Sequence, residues 1–168
     1  RPRDWSSDVC SSDLPLVAFI HGGYWQWNDK EPSSFLVPGL RANGFAVALV
    51  EYTLAPAATI GQIVAEVNRA VDWLAANAAR LGADPGRIYV TGNSAGGHLT
   101  AETIRNPAVR GLLPVSGLYD LEPIRLNYLN EPLRLTLADV DRYSPQRNLP
   151  PSAPPVIVSD RKSTRLNS

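Results

Sequence analysis

The 168-residue chain has no methionine, one cysteine and only two histidines. A reading frame opens with methionine, so the chain reads as cut or processed at its N-terminus. Cys10 has no second cysteine, which excludes an internal disulfide and makes a reducing, cytoplasmic location the expectation. His21, His98 and Cys10 are too few and too badly spaced for a metal-ligand set, so no metal is expected. No apolar run approaches the roughly 18 residues of a membrane span, and no basic stretch leads into an apolar one as in a signal peptide. Charge of neither sign is in excess: Lys plus Arg is 16 and Asp plus Glu is 16. That argues against a nucleic-acid or membrane-surface partner. Oligomeric state is not legible. What remains is a chain 44% hydrophobic, the composition of one soluble globular domain.

Both ends lack helical and strand periodicity. Asp4 to Leu14 reads DWSSDVCSSDL and Asp160 to Ser168 reads DRKSTRLNS. Both resemble translated sequencing-adapter read-through. One DNA string, read in opposite senses, can encode Asp160 to Ser168 and Trp5 to Asp13, a coincidence that selection on a fold does not explain. Residues 1–14 and 160–168 are therefore expected to be non-native flanks, to be set aside in fold reasoning. The stretch 15–159 remains near neutral without them, and Cys10 leaves with the first flank.

Between the flanks, short apolar runs alternate with helical patterns. Leu16 to Ile20 reads as a buried strand. Pro32 to about Ala42 reads as a short helix stopped by Asn43-Gly44, and Phe45 to Val50 as a second strand. Ile60, Ile63, Val64, Val67, Val71, Leu74, Ala78 and Leu81 recur at spacings of three and four, which predicts a helix over 60–81 closed by Gly82. Asp84-Pro85-Gly86 is a turn. Ile88 to Thr91, Leu112 to Val115 and Pro155 to Val158 read as strands, and Gly97 to Arg105 as a helix ended by Asn106-Pro107. Continuous apolar strands alternating with helices imply an α/β fold with a mostly parallel sheet covered by helices on both faces.

Gly92 to Gly96 reads GNSAG, the G-x-S-x-G pattern of a nucleophile elbow, between a predicted strand and a predicted helix. A serine on such a turn projects its hydroxyl away from the backbone. Small residues on either side let strand and helix approach closely. The Ala95 N–H, at the start of the helix, points to where an oxyanion would form. His21-Gly22-Gly23-Tyr24 follows the first strand and is an HGG-type loop, whose glycine N–H groups complete such a hole. The competing reading of each motif alone is a plain glycine turn. Their order, each after a strand, favours chemistry.

HGGYW at His21 to Trp25, EYTLAP at Glu51 to Pro56, GNSAGGH at Gly92 to His98 and SGLYDLEP at Ser116 to Pro123 together resemble the kynurenine formamidase (arylformamidase) branch of the α/β hydrolases. The resemblance spans essentially all of 15–159. It implies hydrolysis of a small-molecule formamide such as N-formylkynurenine, with no cofactor. Ser94 would be the nucleophile. Gly22, Gly23 and Ala95 would hold the oxyanion. Tyr24, Trp25 and Tyr119 would be candidates for an aromatic substrate pocket, with packing in the core as the competing role of each. A carboxylesterase on the same scaffold and a non-catalytic binding module that kept the fold are the alternatives.

The pattern breaks at the base. In this fold the chain order is Ser, then Asp or Glu, then His. After Ser94 the only histidine is His98, four residues on in the following helix, and it reads as a packing residue. His21 precedes the serine and reads as structural. Asp120, Glu122, Asp139 and Asp141 precede the strand after which the acid is expected, and Asp160 falls in the flank. The expectation is thus a truncated α/β-hydrolase fold, with N- and C-terminal strands missing, that exposes inner strands, folds poorly and is inactive alone.

Overall fold

A computed structural model describes residues 13–160. Four strands, β1 (Leu14–Ile20), β2 (Ala46–Val50), β3 (Ala83–Asn93) and β4 (Val109–Val115), form one sheet in the order β2-β1-β3-β4, with every pairing parallel. Their central residues are apolar without alternation, because both faces of the sheet are covered. The predicted fifth strand is reduced to isolated parallel bridges, Leu112 to Val156 and Val115 to Ser159. Backbone bonds still run both ways along that edge, from Leu112 N–H to Pro155 O and from Ile157 N–H to Leu112 O.

Helix α1 (Leu36–Ala42) connects β1 to β2, α2 (Ile60–Asn77) connects β2 to β3, and α3 (Ala95–Glu102) connects β3 to β4. The chain steps outward from β1 to β2, then crosses back past β1 to β3. Right-handed crossovers taken in opposite directions put α1 on one face and α2 and α3 on the other. Accordingly α2 touches α3, and α1 packs on β2. Short helices α4 (Glu122–Arg125), α5 (Asn130–Leu133) and α6 (Leu137–Tyr143) follow β4. The sequence offered no periodicity there, because each spans only one or two turns.

Helix α2 carries the predicted apolar face: Ile60, Ile63, Val67, Val71 and Leu74 are buried. Each such aliphatic contributes about 1.5–3 kcal/mol of burial. A capping box opens the helix. Gln62 N–H donates to Thr59 Oγ1, and Thr59 N–H donates to Gln62 Oε1. The helix ends at Asn77 rather than Leu81; residues 79–81 tighten into a 3-10 turn and Gly82 takes the left-handed conformation, φ 73°. The predicted helix over 32–42 is likewise split, with a 3-10 turn over Glu31–Phe35 before α1.

The Asp84-Pro85-Gly86 turn lies inside β3, not before it. Leu14 pairs with Ala83 but Leu16 pairs with Ile88, so the turn bulges out of the strand, held by Gly86 N–H donating to Asp84 Oδ1 at 2.7 Å. Among the described residues, no helix is long and apolar enough to cross a membrane, and no three His, Cys, Asp or Glu residues are grouped to hold a metal ion.

Candidate active site

Register decides what meets at the carboxyl ends of the strands. Ile20 pairs with Val50 on one side and Gly92 on the other, and Asn93 pairs with Val115. The turns after β1 and β3 therefore leave the sheet side by side. Between these strands the chain reverses its direction of winding, which in open α/β sheets opens a crevice for ligands.

Ser94 joins β3 to α3 with φ 57° and ψ −118°, a conformation that side-chain-bearing residues rarely adopt and that costs about 1–3 kcal/mol. It is held from both directions: its N–H donates to Val115 O at 2.9 Å, and its carbonyl accepts from His98 N–H at 3.0 Å. The side chain is half-buried, not enclosed. Gly96 lets α3 press onto β1. A Cβ there would run into Ile20 O and lie 2.6 Å from His21 O. Ala95 is fully buried at the first position of α3, where a helix has no internal acceptor for its N–H.

The loop after β1 is folded tightly against this turn. A Cβ on Gly22 would sit 2.7 Å from Asn93 O and 3.3 Å from Ser94 Cβ, so Gly22 borders the serine. Gly23 (φ 115°), Tyr24 (φ 50°) and Trp25 (φ 61°) are successive left-handed residues, and the Gly23 carbonyl accepts from Gln26 N–H at 3.0 Å and Trp27 N–H at 2.9 Å. Gly22, Ser94 and Ala95 thus come together, and Gly23 follows Gly22 along the loop.

The aromatic candidates differ in burial and contacts. Tyr24 is half-buried, edge-on to Trp27 with centroids 6.0 Å apart. Trp25, which the sequence placed among pocket residues, belongs to the core. It is 0% exposed, because the left-handed run turns the chain back over α3 and sets the indole edge-on against His98, 5.0 Å between centroids at 90°. Tyr119 is half-buried beyond β4, and its hydroxyl accepts from Gly117 N–H at 3.3 Å. Burial, opposed by that bond and helped by the Asp160 charge, raises its phenol above the ordinary value.

Both histidines are committed elsewhere. His98 is fully buried, donates Nε2–H to Tyr143 O at 2.8 Å, and is pushed down to about 4 by burial, which that bond only partly offsets. His21 is 3% exposed, bonded to Gly22 O and Glu51, and stacked on Tyr52. Four acidic residues after Ser94 serve the scaffold. Asp139 caps α6, Glu122 pairs with Arg125 at 2.7 Å, and Asp120 and Asp141 both hold Arg147. Glu51 and Tyr52 stand out in the sequence only within the EYTLAP stretch. Their position directly after an apolar strand, at the same sheet edge as the loops, was the signal for more.

A parallel sheet with a strained serine between strand and helix, set against a glycine loop from the neighbouring strand, defines an α/β hydrolase. The chain belongs to the BD-FAE family, whose model matches residues 6–104. That match enters the segment 1–14, of which the structure describes only residues 13 and 14. Within the α/β hydrolases it falls in the kynurenine formamidase-like branch. It is 37% identical over 147 residues to kynurenine formamidase of Danio rerio, covering 83% of this chain and 49% of that one. It is 36% identical over 96 residues to a probable isoprenylcysteine alpha-carbonyl methylesterase of Oryza sativa subsp. japonica, covering 57% and 23%. Among solved structures, a protein of Silicibacter sp. TM1040 superposes with TM-score 0.80 at 31% identity, covering 90% of this chain and 58% of that one. EstE1, a thermophilic carboxylesterase cloned from a metagenomic library, does so with TM-score 0.71 at 26% identity, covering 87% and 59%. The chain spans about half the length of the kynurenine formamidases of Danio rerio and Salmo salar that it matches.

Proposed function

We propose that the chain is the nucleophile-bearing part of a serine hydrolase that cleaves a small-molecule formamide of the N-formylkynurenine type. The observation that carries this reading is Ser94 at φ 57° between β3 and α3, bordered by Gly22. Ser94 Oγ adds to the formyl carbon and gives its proton to a base. The N–H groups of Gly22, Gly23 and Ala95 receive the negative oxygen, a contribution typically worth about 10²–10³-fold for each donor. The C–N bond then breaks, the leaving amine takes the proton, and a formyl ester remains on Ser94. Water hydrolyses it to formate and restores the hydroxyl. His21 and His98 are engaged in the scaffold. The base and its carboxylate are therefore proposed to come from the part of the relatives that this chain does not span, and the 168 residues alone are proposed to be inactive. The flanks 1–14 and 160–168 are proposed to supply no catalytic group.

The matched methylesterase and carboxylesterase favour a second reading, an ester substrate on the same scaffold. A chain extended to its relatives' length is assayed on N-formylkynurenine and on p-nitrophenyl esters. Formamide turnover is expected, and Ser94→Ala is expected to lower kcat by about 10⁴-fold or more. Activity surviving Ser94→Ala refutes the nucleophile. Ester cleavage far above formamide cleavage favours the second reading. Turnover by the 168-residue chain that vanishes in Ser94→Ala refutes its incompleteness.

A further inference from the structure

His21 precedes the proposed oxyanion donors, and both of its ring nitrogens meet acceptors. Nδ1 lies 2.9 Å from Gly22 O, and Nε2 lies 3.0 Å from Glu51 Oε1. A peptide carbonyl only accepts. Glu51 is a carboxylate at neutral pH: partial burial pushes its acid up, but the Lys30 N–H at 2.9 Å, the bond from His21 and the charges of both residues bring it below the usual range. A neutral imidazole has one N–H and would satisfy only one of the two acceptors. The ring also lies flat on Tyr52, with centroids 4.3 Å apart and planes 6° from parallel, which fixes the plane of the imidazole. Tyr52 in turn donates its hydroxyl to His21 O at 3.1 Å, fixing the turn from below. Among the described residues, the other ion pair of Glu51 is with Lys30 Nζ, 3.7 Å from its far oxygen, Oε2.

We propose that Glu51 and Tyr52 hold the His21 ring so that its Nδ1–H polarises the Gly22–Gly23 peptide, making the Gly23 N–H a stronger donor to a developing oxyanion. A carbonyl that accepts a hydrogen bond draws charge through its peptide bond, and hydrogen bonds in such a chain strengthen one another. His21 touches no reacting atom, so it is a positioning residue. Its role in catalysis rests on the reading of Gly23 as an oxyanion donor; its bond to Gly22 O does not.

Nitrogen-15 NMR of the 168-residue chain tests this without turnover. The His21 Nδ1 is expected at a protonated position. Glu51→Gln, which removes the carboxylate from Nε2, is expected to shift the Gly23 amide proton, while that of Gly82, also left-handed but remote, stays; Lys30→Ala is expected to move neither. An unprotonated Nδ1 overturns the proposal. So does a Gly23 amide that Glu51→Gln leaves in place. Activity surviving Ser94→Ala would sink the nucleophile instead and leave these signals untouched.

Discussion

Helix α3 buries two ionisable neighbours whose pH dependences oppose each other. His98 titrates near 6.5 when exposed and is pushed down to about 4 in the fold by burial. Glu102, one turn on with its carboxylate 4.0 Å from His98 Nε2, is pushed up from 4.5 to about 7 by burial, against the pull of Arg142 and Arg105. Below pH 6.5 the unfolded chain binds a proton at His98 that the fold refuses, so stability falls as pH drops from 6.5 to 4. Above pH 4.5 the fold keeps a proton on Glu102 that the unfolded chain releases, so stability falls as pH rises from 4.5 to 7. At about 1.4 kcal/mol per tenfold, each amounts to about 3 kcal/mol, and the two nearly cancel across their shared window. Glu102→Gln leaves only the first effect, and stability should climb by about 3 kcal/mol between pH 4 and 6.5. His98→Gln leaves only the second, keeps an amide to donate to Tyr143 O, and should lose about 3 kcal/mol between pH 4.5 and 7. Urea unfolding followed by tryptophan fluorescence at several pH values measures each slope. Equal slopes in both variants, or a flat Glu102→Gln profile, would refute the reasoning.

Gly96→Ala places a methyl group against Ile20 O, a backbone atom with little room to move, and should cost more than about 3 kcal/mol; a thermal melt within about 2 °C of the unmodified chain would contradict that close approach. Thr59→Ala removes the acceptor for Gln62 N–H and should cost about 1 kcal/mol in chemical unfolding; an unchanged midpoint would show that the capping box does not stabilise α2.

The fold was legible wherever an apolar repeat ran long enough to leave a period. Strands β1, β2 and β4 and helix α2 announced themselves in this way, with ends misplaced by a few residues. Gly82 ended the helical stretch but could not reveal that its last turn tightens to 3-10. Asp84-Pro85-Gly86 was legible as a turn but not as a bulge, because only pairing with β1 shows that β3 begins before it. Helices α4 to α6 were hidden by their shortness. At the site, the glycine motifs were legible because close approach and left-handed backbone demand small residues. The aromatics were not: Trp25 follows the HGG turn as a pocket residue would, and only the three-residue left-handed run sends it into the core. The His21–Glu51 bond joins two loops through sheet register, which no local spacing encodes.

Strands β1 and β3 lie next to each other, yet the whole of α1, β2 and α2 separates them along the chain. The glycine loop and the serine consequently meet only after a distant closure whose entropy must be met first. A half-assembled molecule with either strand out of place presents the hydroxyl beside the Ala95 N–H but without the Gly22 and Gly23 donors. Competence of this corner should therefore arrive together with the finished sheet, not in stages.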